Sequence, residues 1–238
     1  MQNAPRFLAR AWRDFAALFF PRLCLACQQP LPSDDAPLCL DCQATLPETD
    51  LHLSKINEFT ARFDGRLVVE AAAALYFFTR KSRTQHLIHE IKYYDKREVA
   101  VELGRQLGSR LAQQVHFQSL NCIVPVPMHP TKQRKRGYNQ ADLFADGLAE
   151  TMRLPVEKSA LKKIRATDSQ TRKSRLQRLE NTADIFAVSD PSVFFGKNVL
   201  IVDDVMTTGA TLESCAAAVL KAATDAKISF ATIAFAKK

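Results

Sequence analysis

Glycine is scarce in this chain, with seven residues in 238, under half of the roughly 7% that soluble proteins average. That scarcity argues against a turn-rich all-β architecture. Acidic residues are also in deficit: 25 Asp and Glu against 33 Lys and Arg leave a net charge of +8, which calls for an anionic partner such as nucleic acid, phosphate or acidic lipid. No apolar run approaches the roughly 18 residues of a membrane span, so no stable membrane insertion is expected. A secretory signal is missing too. Arg6, Arg10 and Arg13 precede a short apolar run at 15–20 that Pro21 ends, whereas a signal peptide needs a core of roughly 7–15 residues and a small-residue cleavage site. Phe7, Ala11, Phe15, Leu18 and Phe19 fall instead on one face of an amphipathic helix. Its expected role is packing on the domain behind it, with docking to a membrane or partner as the alternative, and the expected compartment is the cytoplasm. No convincing Ser/His or Cys/His pair suggests a nucleophilic enzyme. His86 and His89, three apart on a helical stretch, read as packing or surface residues.

What is present is ordinary for a folded protein: 47% hydrophobic and 24% charged residues, which exclude disorder and fibre. Residues 28–50 are rich in Pro, Asp and Gln and read as loop; 51–66 are polar and ambiguous. From 67 the texture changes. LVVEAAAALYFFT (67–79) suggests a strand, and 84–94 and 97–116 have helical spacing. NCIVPVP (121–127) is a short strand stopped by prolines, 139–152 a helix, NVLIVDDV (198–205) a near-continuous apolar strand, 210–224 an Ala-rich helix and 228–236 a last strand. Strands alternating with helices predict a parallel α/β sheet, and an unbroken apolar strand predicts one covered on both faces. The expected division is 1–50 and 51–238.

Four of the six cysteines lie close together: Cys24, Cys27, Cys39 and Cys42, as two C-x2-C units. Two such knuckles suit one tetrahedral Zn²⁺ held by four thiolates, a closed site with no position open for catalytic water. Two disulfides are disfavoured without a secretory signal. A redox pair would occur singly at a strand end rather than doubled in a Pro-rich loop. Cys122 and Cys215 stand in apolar surroundings and read as buried small hydrophobes.

The segment VLIVDDVMTTGAT (199–211) carries the most specific chemistry. A buried strand delivers Asp203 and Asp204 to its carboxyl end, where open α/β sheets bind ligands. The turn Thr207, Thr208, Gly209, Ala210, Thr211 then opens a helix, whose free N–H groups and positive end make a phosphate cradle. Adjacent carboxylates beside it suit sugar hydroxyls or a metal. A second constellation is basic: VPVPMHPTKQRKRGYNQA (124–141) holds Lys132, Arg134, Lys135 and Arg136 after a strand end, which reads as a pyrophosphate-binding or a merely solvated loop. Residues 158–178 contain eight Lys or Arg and one acid, Asp168. Such a concentration fits a mobile hood, extending to about 186, that closes on pyrophosphate. It fits a nucleic-acid groove equally well, although the segment has no aromatic residue for base stacking.

Residues 199–211 resemble the phosphoribosyl-pyrophosphate (PRPP) signature of type I phosphoribosyltransferases. The resemblance implies a twisted parallel sheet flanked by helices, with Asp203 and Asp204 as catalytic carboxylates on the ribose hydroxyls. It also implies 207–211 on the 5′-phosphate and Mg²⁺ bound with PRPP. It narrows to the ComF family, which joins an N-terminal four-cysteine zinc module to such a domain. The residues carrying this are Arg136–Gln140 (RGYNQ), Lys92 and Tyr93, the pattern Arg165, Thr167 and Gln170, and then Arg178, Asn181 and Phe186. The match spans about 20–236. One departure is Tyr94-Asp95-Lys96, where family members often place a glycine. The family implies that Arg134, Arg136, Arg165 and Gln170 serve the pyrophosphate or hood. It also implies a role in natural competence, with single-stranded DNA and a helicase as partners.

Overall fold

The computed structural model describes residues 21–31, 36–93, 96–164 and 185–237. Four strands form a sheet: β1 (Ala72–Phe78), β2 (Cys122–Pro125), and the two we number β5 (Asn198–Met206) and β6 (Lys227–Ala236) in chain order. Their spatial order is β1-β6-β5-β2, and every pairing is parallel. A separate antiparallel pair, β3 (Leu161–Lys163) with β4 (Phe186–Val188), lies apart from this sheet.

Alternation along β5 explains its unbroken apolar run. Leu200 and Val202 face one layer, with Leu87 and Ile91 of α2 (Arg83–Tyr93), Leu103 and Leu107 of α3 (Arg97–Leu111), and Phe144 and Leu148 of α5 (Gln140–Met152). Val199 and Ile201 face the other, with Leu212, Cys215 and Val219 of α6 (Ala210–Ala222) and with Phe59, Phe63 and Phe186. The sheet is therefore covered on both faces, as the strand composition predicts. Three of the rare glycines let α3 and α5 touch: a Cβ on Gly104 would strike the Phe144 carbonyl, one on Gly147 the Val101 carbonyl, and one on Gly108 the Thr151 hydroxyl.

Both sheet edges are closed by irregular chain. The Thr49 amide donates to Leu75 O at 3.0 Å and the Phe77 amide to Pro47 O at 2.7 Å along β1. Along β2, the Ile123 amide donates to Pro155 O at 2.9 Å and the Glu157 amide to Ile123 O at 2.8 Å. Covering an edge in this way removes a template for aggregation.

Three expectations change. β1 begins at Ala72 rather than 67: in the register Ala72↔Phe230, residues 67 and 68 would face positions before the start of β6 at Lys227, and only the Glu70 amide, reaching Ile228 O at 2.7 Å, carries the pairing further. The basic loop after β2 contains a short helix, α4 (Pro130–Arg136), with proline in its first turn and left-handed Gly137 (φ 83°) ending it. Both signals were legible. The ambiguous stretch 51–66 supplies Phe59 and Phe63, both fully buried. Their rings lie 5.1 Å from Phe235 and 4.9 Å from Phe230 respectively, each burial contributing about 1.5–3 kcal/mol. The remaining short helix, α1 (Leu40–Thr45), lies in the cysteine segment. Among the described residues no helix is long and apolar enough to cross a membrane.

Candidate functional site

β5 ends at Met206, so Asp203 and Asp204 occupy its last turnings before the loop 207–209 and helix α6. The two carboxylates meet different surroundings. Asp204 meets α2, whose Lys92 places Nζ 2.9 Å from Asp204 Oδ2. Asp203 feels the charge of Lys163 on β3 and lies close enough to Cys215 of α6 to help raise that thiol's pKa. Its own Oδ1 accepts a 2.8 Å hydrogen bond from the Asp204 amide. Burial, with the neighbouring Asp204 carboxylate second, pushes Asp203 up to about 7. Burial lowers the pKa of Lys163, and nearby Lys132 lowers it further. Lys163 Nζ also sits 5.5 Å over the Phe186 ring. Two acids and three lysines thus converge at the carboxyl end of the central strand. Lys163 was legible in the sequence only as one of many basic residues, because its short antiparallel strand has no periodic signal.

The turn into α6 is tightly specified. Gly209 caps the helix in the left-handed region, φ 85°. A Cβ there would lie 2.9 Å from Phe63 Cε1 and 3.3 Å from Met206 Cε. Any other residue would face both strain and collision. Thr207, Thr208, Ala210 and Thr211 remain exposed around it, and the Thr208 hydroxyl accepts from the Ala210 amide at 3.4 Å. The first N–H groups of a helix have no partner within it, so a 13-residue helix opens here toward solvent, beside the carboxylates.

The RGYNQ stretch lies behind this cluster. Tyr138 OH donates to Ile91 O at 2.6 Å. The Asn139 side chain caps α5 by accepting from the Ala141 amide and donates to Val126 O at 3.0 Å. Arg136 sits 5.1 Å over the Tyr93 ring and donates to Gln140 Oε1 at 2.6 Å. Arg134 is exposed. Arg165 and Gln170, with Thr167, Arg178 and Asn181, lie outside the described residues.

The cysteines form a second centre. The Sγ atoms of Cys24, Cys27, Cys39 and Cys42 all lie within 4.8 Å of one another. Cys27 and Cys39 are 3.7 Å apart, and all four thiols are free. The Cys39 amide donates to Cys24 Sγ and the Cys42 amide to Cys39 Sγ, each at 3.4 Å. Burial opposes ionisation of Cys24, yet the amides of Cys39, Cys27 and Ala26 bring it down to about 6; burial and the neighbouring thiols push Cys42 up. Four sulfurs this close, each of softer character than oxygen, fit a tetrahedral thiolate metal site. The cluster is joined to the rest of the chain: Cys24, Leu25, Leu38, Cys42 and Leu46 share a core with Leu87 and Leu103, and Arg83 reaches Asp41 at 2.7 Å.

Residues 139–238 match the family model described as phosphoribosyl transferase domain. With the parallel sheet flanked by helices, this match gives a fold of the phosphoribosyltransferase type. The chain is similar in sequence to the competence proteins F and ComFC and to the YhgH proteins. It is 33% identical to competence protein F of Haemophilus influenzae over 130 residues, 53% of this chain and 57% of that protein. It is 32% identical to DNA utilization protein YhgH of Escherichia coli over 141 residues, 57% and 60% of the two. Competence protein ComFC of Bacillus subtilis is 31% identical over 126 residues, 52% and 47%. Each match spans less than two thirds of the relative. Among solved structures, the glutamine PRPP amidotransferase of B. subtilis complexed with ADP and GMP aligns with a TM-score of 0.42 at 20% identity, covering 61% of this chain and 30% of that one.

The raised Asp203 pKa has a signed consequence. An unfolded aspartate titrates near 3.9, so between about 4 and about 7 the folded chain holds the extra proton, and stability falls as pH rises through that window. Asp203→Asn removes the effect. In denaturant titrations, the stability of Asp203→Asn relative to wild type should grow from about pH 4 to about pH 7 and level off above; a constant difference would contradict the assignment.

Proposed function

We propose that this chain binds PRPP or a related phosphorylated sugar at the end of β5 and transfers its phosphoribosyl group to an acceptor. The observation supporting this is one juxtaposition: two recessed carboxylates next to a left-handed glycine turn that opens a helix N-terminus. The 207–211 backbone and hydroxyls receive the 5′-phosphate, where the helix end favours negative charge. Asp203 and Asp204 accept hydrogen bonds from the ribose 2′- and 3′-hydroxyls. The bond between C1 and the pyrophosphate oxygen breaks as C1 gains the acceptor, through an oxocarbenium-like state. The protein's part is positioning and neutralisation of the leaving group, and Arg134, Arg165 and Gln170 are the side chains proposed to face the pyrophosphate. No side-chain nucleophile is needed. Two carboxylates are hard oxygen donors of the kind Mg²⁺ takes, so the donor set fits; when bound with pyrophosphate, Mg²⁺ supplies positive charge to the leaving oxygens. The compartment proposed for this activity is the cytoplasm.

The second reading is a non-catalytic competence factor that binds single-stranded DNA and works beside a helicase. The names of the relatives, competence and DNA utilization proteins, favour it, as does the basic stretch 158–178. The acidic pair separates the two, since DNA phosphates are repelled by carboxylates that a ribose would engage.

For the cysteines we propose one structural Zn²⁺ per chain, held by Cys24, Cys27, Cys39 and Cys42. Cys39→Ser should lose the metal by elemental analysis and lower the unfolding temperature, because the knuckles share a core with α2 and α3. Zinc-free wild type, purified without chelator, would refute the assignment. For the sugar site, Asp204→Ala should weaken PRPP binding about tenfold to a hundredfold, the loss of a hydrogen bond to a charged group, with secondary structure intact by circular dichroism. Unchanged affinity in calorimetry would show that the carboxylate serves something else.

A further inference from the structure

The acidic pair already holds a cation supplied by the chain. Lys92 Nζ is 2.9 Å from Asp204 Oδ2, and the two side chains are only 26% and 16% exposed. This is not the solvated surface pair whose net contribution is small; it is shielded, so its attraction is less screened. The position of Lys92 is also fixed from outside its own helix. The residues on either side of it are both gripped by the RGYNQ turn. Tyr138 OH, in a buried bond, donates to the carbonyl of Ile91 at 2.6 Å. The Arg136 guanidinium lies 5.1 Å over the ring of Tyr93 and is itself tied to Gln140. Gly137 (φ 83°) makes the bend between these two grips. Three consecutive residues of the last turn of α2 are therefore set in place: two by the turn, and the middle one by Asp204.

We infer that Lys92 is a positioning residue that occupies the cation seat of the acidic pair, and that the Arg136–Tyr138 turn exists to hold it there. Resting on the reading of Asp203 and Asp204 as the ribose-facing pair, this deepens that reading. A divalent cation meets a carboxylate whose Oδ2 is already matched, so the free protein has little affinity for it. The cation must enter with the phosphates of the ligand. Asp204 is meanwhile kept in one orientation, ready for a hydroxyl. Arg136 is thereby assigned to aiming α2 rather than to the pyrophosphate.

The test uses manganese(II), an oxygen-seeking ion like Mg²⁺, titrated into the zinc-loaded chain at mildly alkaline pH with no sugar phosphate present. Binding is read by electron paramagnetic resonance. Wild type should show no Mn²⁺ site that depends on Asp204. Lys92→Met should gain about tenfold or more in affinity, because a shielded Asp204 carboxylate stripped of its lysine, with Asp203 beside it, attracts a cation strongly at short range. Lys92→Arg should behave as wild type, and Lys92→Met/Asp204→Asn should lose the gain. A merely structural lysine would create no such site on removal. Lys92→Met binding Mn²⁺ no better than wild type overturns the inference. So does wild type binding Mn²⁺ tightly in a manner that Asp204→Asn abolishes, an arm that needs no lysine variant to fold. Failure of wild type to bind PRPP with Mg²⁺ would instead defeat the sugar-phosphate reading and leave this result standing.

Discussion

Placing two adjacent carboxylates at the end of a strand buried on both faces is the constraint to which the rest of the molecule answers. The apolar run 199–202 can lie only in the middle of a covered parallel sheet, so whatever follows it emerges at the sheet's carboxyl end, in a recess. Charges taken out of water need partners or protons. Asp204 takes Lys92. Asp203 takes a proton more readily than an ordinary aspartate, with Lys163 nearby. The covering layers supply these groups: α2 is both a wall of the core and the carrier of Lys92, and the β3–β4 pair both packs Phe186 and presents Lys163.

The same economy governs the glycines and the cysteines. Three glycines serve a helix crossing that brings α5 against α3, and α5 is the helix that the RGYNQ stretch begins. The close crossing and the Tyr138 bond thus fix α2, α3 and α5 relative to β5. The four-cysteine cluster braces the far side of α2 and α3 through Leu25, Leu38 and Leu46. The four thiols lie within 4.8 Å of one another, and Leu25, Leu38 and Leu46 beside them join this segment to the main core.

Much of this was legible because it is periodic or local. The apolar strand 198–205, the paired C-x2-C units and the Gly209 turn each depend on neighbours in sequence, and each is found where its pattern put it. Less legible was what depends on contacts distant along the chain. Phe59 and Phe63 sit in a stretch without helix or strand period, and only the fold shows Phe63 beneath the Gly209 turn with Phe59 stacked on it. Leu161–Lys163 is too short to announce a strand, and its partner lies across residues 165–184. The resemblance implies a pyrophosphate or hood role for Arg136; the contacts its side chain makes with Tyr93 and Gln140 leave no mark on composition. Lys92 stood in a two-residue motif with no stated partner; its carboxylate lies more than a hundred residues away in sequence.

The central claim is that the turn after β5 is a sugar-phosphate cradle. Hydrogen exchange of the backbone amides at 207–212 measures it most directly, because those N–H groups are the ones a phosphate would occupy. Addition of PRPP with Mg²⁺ should slow their exchange, and Asp204→Ala should reduce that protection. No protection there by PRPP, with slowing instead confined to the basic residues 158–178 on addition of single-stranded DNA, would contradict the account.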